Sequence, residues 1–140
     1  SPMSRGLGDV YKRQSICFSD WPEWGSLLGG RWVWGTSWHP QPETVSVVPD
    51  KDNALADLPS FEVHDELYTD LLLEPGAQVL AHGRSAAMPT SQPIVWSHRV
   101  GAGRVIYDAL GHDRESLSHP AHAQLLRETV SWALDKADMQ

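Results

Sequence analysis

Histidines and carboxylates at the ends of apolar runs are the residues in this chain best suited to do chemistry. The stretch 101–113, GAGRVIYDALGHD, is the clearest case. A glycine turn, Gly101-Ala102-Gly103, feeds an apolar run over 105–110, which stops at Gly111 and delivers His112 and Asp113 beyond it. That pattern reads as turn, buried strand and polar tip. Ligands in open α/β sheets collect outside the carboxyl ends of the strands, so an imidazole and a carboxylate placed there are candidates for acid–base work. The alternative is structural: His112 caps a neighbouring backbone group and Asp113 begins the next turn. A second polar strand end lies in 61–68, FEVHDELY, which presents His64, Asp65 and Glu66. Successive side chains on a strand point to opposite faces, so Asp65 and Glu66 should have different jobs, one turned to the crevice and the other to solvent or a helix end.

The elements that position these groups follow from local pattern. Residues 20–28 predict a short helix, with Asp20 as N-cap, Pro22 near its first position and Gly29-Gly30 ending it. Residues 31–38 predict a short strand with Trp32 and Trp34 on one face, a spacing that fits packing better than a sugar platform. Residues 43–48 alternate Val45 and Val47 with Thr44 and Ser46, the period of a half-exposed strand. After a turn-rich connection come strands at 78–82 and 93–99, the second joined to the 101–113 stretch in hairpin fashion. A helix over 120–136 is capped by Ser118 or His119, and its apolar stripe is Ala123, Leu126, Val130, Ala133 and Leu134. His119 and His122 fall at that helix's N-terminus, where the dipole disfavours protonation, so they are expected neutral and structural.

Composition narrows the partners. At 140 residues, 41% hydrophobic and 21% charged, the chain is the size and make-up of one globular domain. A formal charge of -7, with 11 Lys and Arg in total, argues against a nucleic-acid partner. No apolar run is long enough to span a bilayer. One cysteine, Cys17, excludes an internal disulfide framework and is compatible with a reducing compartment. Seven tryptophans and seven histidines are the unusual counts, and they suit sugars or metals as well as plain packing.

Several separated strings now point the same way. PIVWSHRVGAGRVIYDALGHD, followed by a helix ending in VSWAL, resembles the C-terminal part of trehalose-utilisation, ThuA-like domains. Upstream, DWPEWGSLLGGRW (20–32), Trp38-His39 and FEVHDELY (61–68) fall in the order that family shows, so the resemblance spans 20 to about 136. It departs at two places. A histidine often found just before Trp38-His39 is missing, Gly35 being followed by Thr36, and a His-Pro pair reads Asn53-Ala54 here. The resemblance implies an α/β domain of the class I glutamine amidotransferase-like, flavodoxin-like type with a mostly parallel sheet, incomplete at its N-terminus. Residues 1–14, SPMSRGLGDVYKRQ, read as a non-native, adapter-derived leader, and 15–140 as the later part of one such domain. Cytoplasmic location is expected, with a signal peptide upstream left open. Loss of leading strands would expose a sheet edge and favour self-association.

For function, the resemblance implies carbohydrate utilisation: trehalose, a related disaccharide or a keto-sugar. The amidotransferase nucleophile is absent, because Cys17 falls too late for the elbow, so glutamine hydrolysis is not expected. His39, Glu66 and His112 each end a strand or turn within the family's strings, and Glu66 is favoured as the inward carboxylate. Two imidazoles and a carboxylate are a common ligand set for zinc or another divalent metal, which is the candidate cofactor. A second reading makes His112 a general acid or base, oriented by Glu66 or Asp113, acting on a sugar. Trp38 and Tyr68 are the candidate substrate contacts. A third reading is a non-catalytic carbohydrate-binding or interaction domain in which tryptophans stack on sugar rings.

Overall fold

A computed structural model of the chain describes Ile16, Phe18 and residues 20–134. The 1–14 stretch, Cys17 and the end of the helix expected to reach residue 136 lie outside the described residues. The first helix, α1 (Pro22–Leu28), starts with proline, whose missing N–H costs nothing there. Trp21, not Asp20, is its N-cap, and Gly29 closes it in the left-handed conformation at φ 79°. Then come β1 (Gly30–Arg31), β2 (Glu43–Pro49), β3 (Phe61–Asp65), β4 (Leu72–Leu73), β5 (Gln78–Arg84), β6 (Gln92–Val100) and β7 (Gly103–Asp108). Two helices follow, α2 (Arg114–Ser118) and α3 (Pro120–Leu134).

The main sheet has five strands in the order β3-β2-β5-β6-β7, and β1 pairs with β4 in a small second sheet. All of these pairings are antiparallel. The expected flavodoxin-like, mostly parallel sheet is therefore corrected, and with it the amidotransferase-like architecture. Connection length gives the reason. Parallel neighbours need a crossover of a dozen or more residues, usually a helix, whereas β6 and β7 are joined by Gly101 and Ala102 alone. Among the described residues no helix lies between β1 and β7, so the chain returns by turns and its neighbours run antiparallel.

Side-chain alternation decides which way each strand faces. In β2, Val45 and Val47 are fully buried while Ser46 and Thr44 are not. β6 is different. Its consecutive residues Ile94, Val95 and Trp96 are all buried, as expected for a strand covered on both faces. Trp96 stacks on Tyr107 at 4.2 Å and donates its indole N–H to the Leu28 carbonyl at 2.9 Å, tying β6 and β7 to the end of α1. Opposed register shifts around Ala81 bend β5 against β6. The helix α3 buries His122, Leu125 and Thr129, while Val130 and Leu134 are exposed. The stripe expected from apolar residues therefore does not mark the packed face. The buried polar pair accounts for this, because each finds its partners locally: Thr129 donates to the Leu126 carbonyl, and His122 sits in the network described below. Among the described residues no helix is long and apolar enough to cross a membrane.

Candidate functional site

Three of the residues singled out by type and position come together. Glu66 follows the end of β3 and is 7% exposed. One carboxylate oxygen lies 3.3 Å from His112 Nδ1, and the other lies 3.9 Å from His39 Nδ1. Both are electrostatic approaches, the first closer than the second. The His39 and His112 side chains are 29% and 33% exposed, so a buried carboxylate backs two imidazoles that solvent can reach. His39 Nδ1 lies 2.9 Å from the Pro40 carbonyl oxygen. A carbonyl only accepts, so Nδ1 carries the proton and Nε2 of the neutral ring is left as a base. His112 turns the same ring nitrogen, Nδ1, toward the Glu66 carboxylate.

This arrangement bears on metal binding. Glu66 lies on the Nδ1 side of both rings. Among the described residues no group of three or more His, Cys, Asp or Glu side chains is placed to hold a metal ion. No step below is routed through a metal.

The loop that carries His112 is held from beneath by two carboxylates, the buried Asp65 and the partly buried Asp108. Asp65 is 0% exposed. Its Oδ1 accepts from Glu66 N at 2.7 Å and His112 N at 3.1 Å; its Oδ2 accepts from Gly111 N at 2.7 Å and from the Ser116 hydroxyl. Asp108, ending β7, accepts from Leu110 N at 2.9 Å. Three successive loop amides, 110 to 112, thus end on two aspartates. Gly111 has φ 101°, a conformation that favours glycine, and a Cβ there would come within 3.0 Å of Leu117 Cδ2. Asp113 turns the other way. It is the N-cap of α2, accepting from Ser116 N at 3.0 Å. Its carboxylate serves the helix, as the structural alternative expected.

Beneath Asp65 the network continues. His122 Nδ1 donates to the Ser116 carbonyl at 2.9 Å, and its Nε2 donates to Asp108 at 2.7 Å. Burial pushes the His122 pKa down, but the Asp108 hydrogen bond and charge, the Ser116 carbonyl and the charge of Asp65 outweigh it and hold the pKa above the ordinary histidine value. The lowering that the helix dipole was expected to impose on His122 is therefore not what the structure gives. Ser116, His122 and Asp108 have the residue types of a hydrolytic triad. Ser116 and His122 are 0% exposed, however, and the serine hydroxyl donates to Asp65, so no substrate reaches a nucleophile there.

The aromatic residues divide between floor and rim. Tyr68 is 1% exposed and stacks on the His39 ring at 5.6 Å, so it forms the floor and is not open to a ligand. Trp32 packs edge-on to Tyr68 at 5.2 Å, and Trp34 follows Trp32 at 6.0 Å. Trp34 is 67% exposed and Trp38 40%. The packing role expected for Trp34 does not match that exposure. Trp38 exchanges backbone hydrogen bonds with Thr69 in an isolated bridge, which fixes the approach of His39 to the segment after Glu66. A separate cleft of about 470 Å³, lined by Gly76, Gln78, Ser97, His98, Arg99 and Trp132, includes none of the three site residues. Its lining holds no carboxylate–imidazole pair.

His39, Glu66 and His112, grouped by strand ends and by the family's strings, lie side by side in the structure. The sequence reading did not anticipate Asp65 as the clamp or the pairing of Asp108 with His122. The contacts from Asp65 to Gly111 and His112 span 46 and 47 residues, and no local signal announces such a pairing.

Comparison with known proteins gives three findings. A family model described as ThuA, trehalose utilisation, matches residues 3–133, a range that begins inside the stretch set apart as a leader. No curated protein matches. A crystal structure described as that of a ThuA-like protein from Parabacteroides merdae ATCC 43184 is similar, with 19% identity and a TM-score of 0.69 over 86% of this chain. This chain spans 57% of that one, and at such identity the likeness concerns the fold alone.

Proposed function

This chain belongs to the ThuA, trehalose-utilisation family, and on that premise we propose that it acts on a disaccharide or keto-sugar, with Glu66, His39 and His112 as an acid–base centre. One observation carries the reading: a 7% exposed carboxylate has its two oxygens on the Nδ1 sides of two accessible imidazoles. Holding Nδ1 leaves Nε2 of each ring to exchange protons with a substrate. On a keto-sugar, one imidazole takes the proton from the carbon beside the carbonyl while the other delivers a proton to the carbonyl oxygen, giving an enediol. Glu66 steadies whichever ring is charged. Trp34 and Trp38, both exposed, are rims on which a sugar face can stack.

That exposure also favours a second reading, a carbohydrate-binding module without turnover. Turnover of oxidised and unoxidised disaccharides by the wild-type and His112→Ala proteins separates the two. The acid–base reading expects product from the wild type and little from the variant at a similar melting temperature. Sugar binding without product from either protein supports the module.

A further inference from the structure

We infer that Asp65 is the positioning residue of this site: its one buried carboxylate holds the backbones of Glu66 and His112 together and so sets the approach of the two side chains. The two residues come from the ends of different strands, β3 and β7, which occupy opposite edges of the five-stranded sheet order. Nothing in the strand pairing brings those ends into register. Asp65 does so directly, since one oxygen, Oδ1, accepts from the amides of both Glu66 and His112. The other oxygen takes Gly111 N and the Ser116 hydroxyl, which fixes the carboxylate plane. A carboxylate supplies this pattern because all of these partners are donors, and a neutral amide would turn an N–H toward one pair of them.

The hydroxyl is itself held. Ser116 Oγ lies 3.3 Å from His122 Nδ1, and His122 is anchored to Asp108. Since Asp108 also binds the Leu110 amide, the loop on the His112 side is tied to the same network at both ends. Movement of Asp65 would therefore change the Glu66–His112 distance more than it would change the core around Leu125. The effect on turnover rests on the acid–base reading given above; the effect on geometry does not.

The test is the ring-nitrogen signature of His112, followed by long-range ¹H–¹⁵N NMR at a pH where free histidine is neutral. Four proteins are compared with the wild type: Asp65→Asn, Ser116→Ala, Glu66→Gln, and Leu125→Ala as a core control. His112 in the wild type should carry its proton on Nδ1, facing Glu66. Asp65→Asn should shift it to a mixture of tautomers, Ser116→Ala should shift it partway, and Leu125→Ala should leave it unchanged. Should Asp65→Asn fail to fold, Ser116→Ala decides. A His112 signature that Glu66→Gln alters but neither Asp65→Asn nor Ser116→Ala alters overturns the positioning role. A signature that none of these alters overturns the pair itself.

Discussion

Replacing His122 with leucine should cost more stability than its position on a helix suggests. The side chain is 0% exposed, and both ring nitrogens are engaged, one with Asp108 and one with the Ser116 carbonyl. Leucine fills most of the volume but leaves the Asp108 carboxylate, 12% exposed, without its cation. Removing one partner of a buried ion pair typically costs about 3–5 kcal/mol. At roughly 2–4 °C per kcal/mol for a domain near this size, the melting temperature should fall by about 6–20 °C. The pH dependence gives a sharper test. The folded state raises the His122 pKa, so the favourable contribution of the charged ring is complete below the unfolded value of about 6.5 and is lost as pH rises through the folded value. Each unit of separation between the two values is worth about 1.4 kcal/mol. Urea unfolding at intervals from pH 5.5 to 9 would measure this: the wild type should weaken as pH rises above about 6.5, and His122→Leu should lose that component of the slope. Equal slopes for the two proteins, or a variant within 1 kcal/mol of wild type at pH 6, would refute the reasoning.

Two further substitutions probe the sheet and the rim. A Cβ at Gly83 would lie 2.9 Å from Ile94 Cδ1, 3.1 Å from Leu67 Cδ1 and 3.3 Å from Val45 Cγ1, so Gly83→Ala should overpack the core and cost about 1–3 kcal/mol by chemical denaturation. Trp34→Ala should change stability by less than about 0.5 kcal/mol, because Trp34 is 67% exposed, yet it should weaken quenching of tryptophan fluorescence by millimolar trehalose; undiminished quenching would remove Trp34 from the sugar surface.

Local pattern located several elements well. Proline and glycine bracketed α1, alternation of Val45 and Val47 identified β2, and the Gly101-Ala102 turn announced the hairpin of β6 and β7. The parallel sheet came from likeness to a superfamily, and the tight turn between β6 and β7 already spoke against it. On α3 the hydrophobic stripe misled because the buried face carries His122 and Thr129, whose polar atoms are satisfied inside the fold. Pattern reading works on the assumption that polar means solvent, and it fails wherever a network pairs polar groups out of solvent. The same limit applied at the site. His112 and Glu66 were legible as polar strand ends, whereas the aspartate that joins them was visible only once residues 46 and 47 positions apart were brought together.

The most direct test of the acid–base centre is deuterium wash-in, by mass spectrometry or NMR, at the carbon beside the carbonyl of an oxidised disaccharide incubated in D₂O. The wild-type protein should exchange that hydrogen, while Glu66→Gln and His112→Ala should slow the exchange by roughly a hundredfold or more, the usual contribution of a positioned acid–base group. Exchange that proceeds at the wild-type rate in both variants, or that the wild type does not accelerate at all, would contradict the assignment of proton transfer to the two histidines steadied by Glu66.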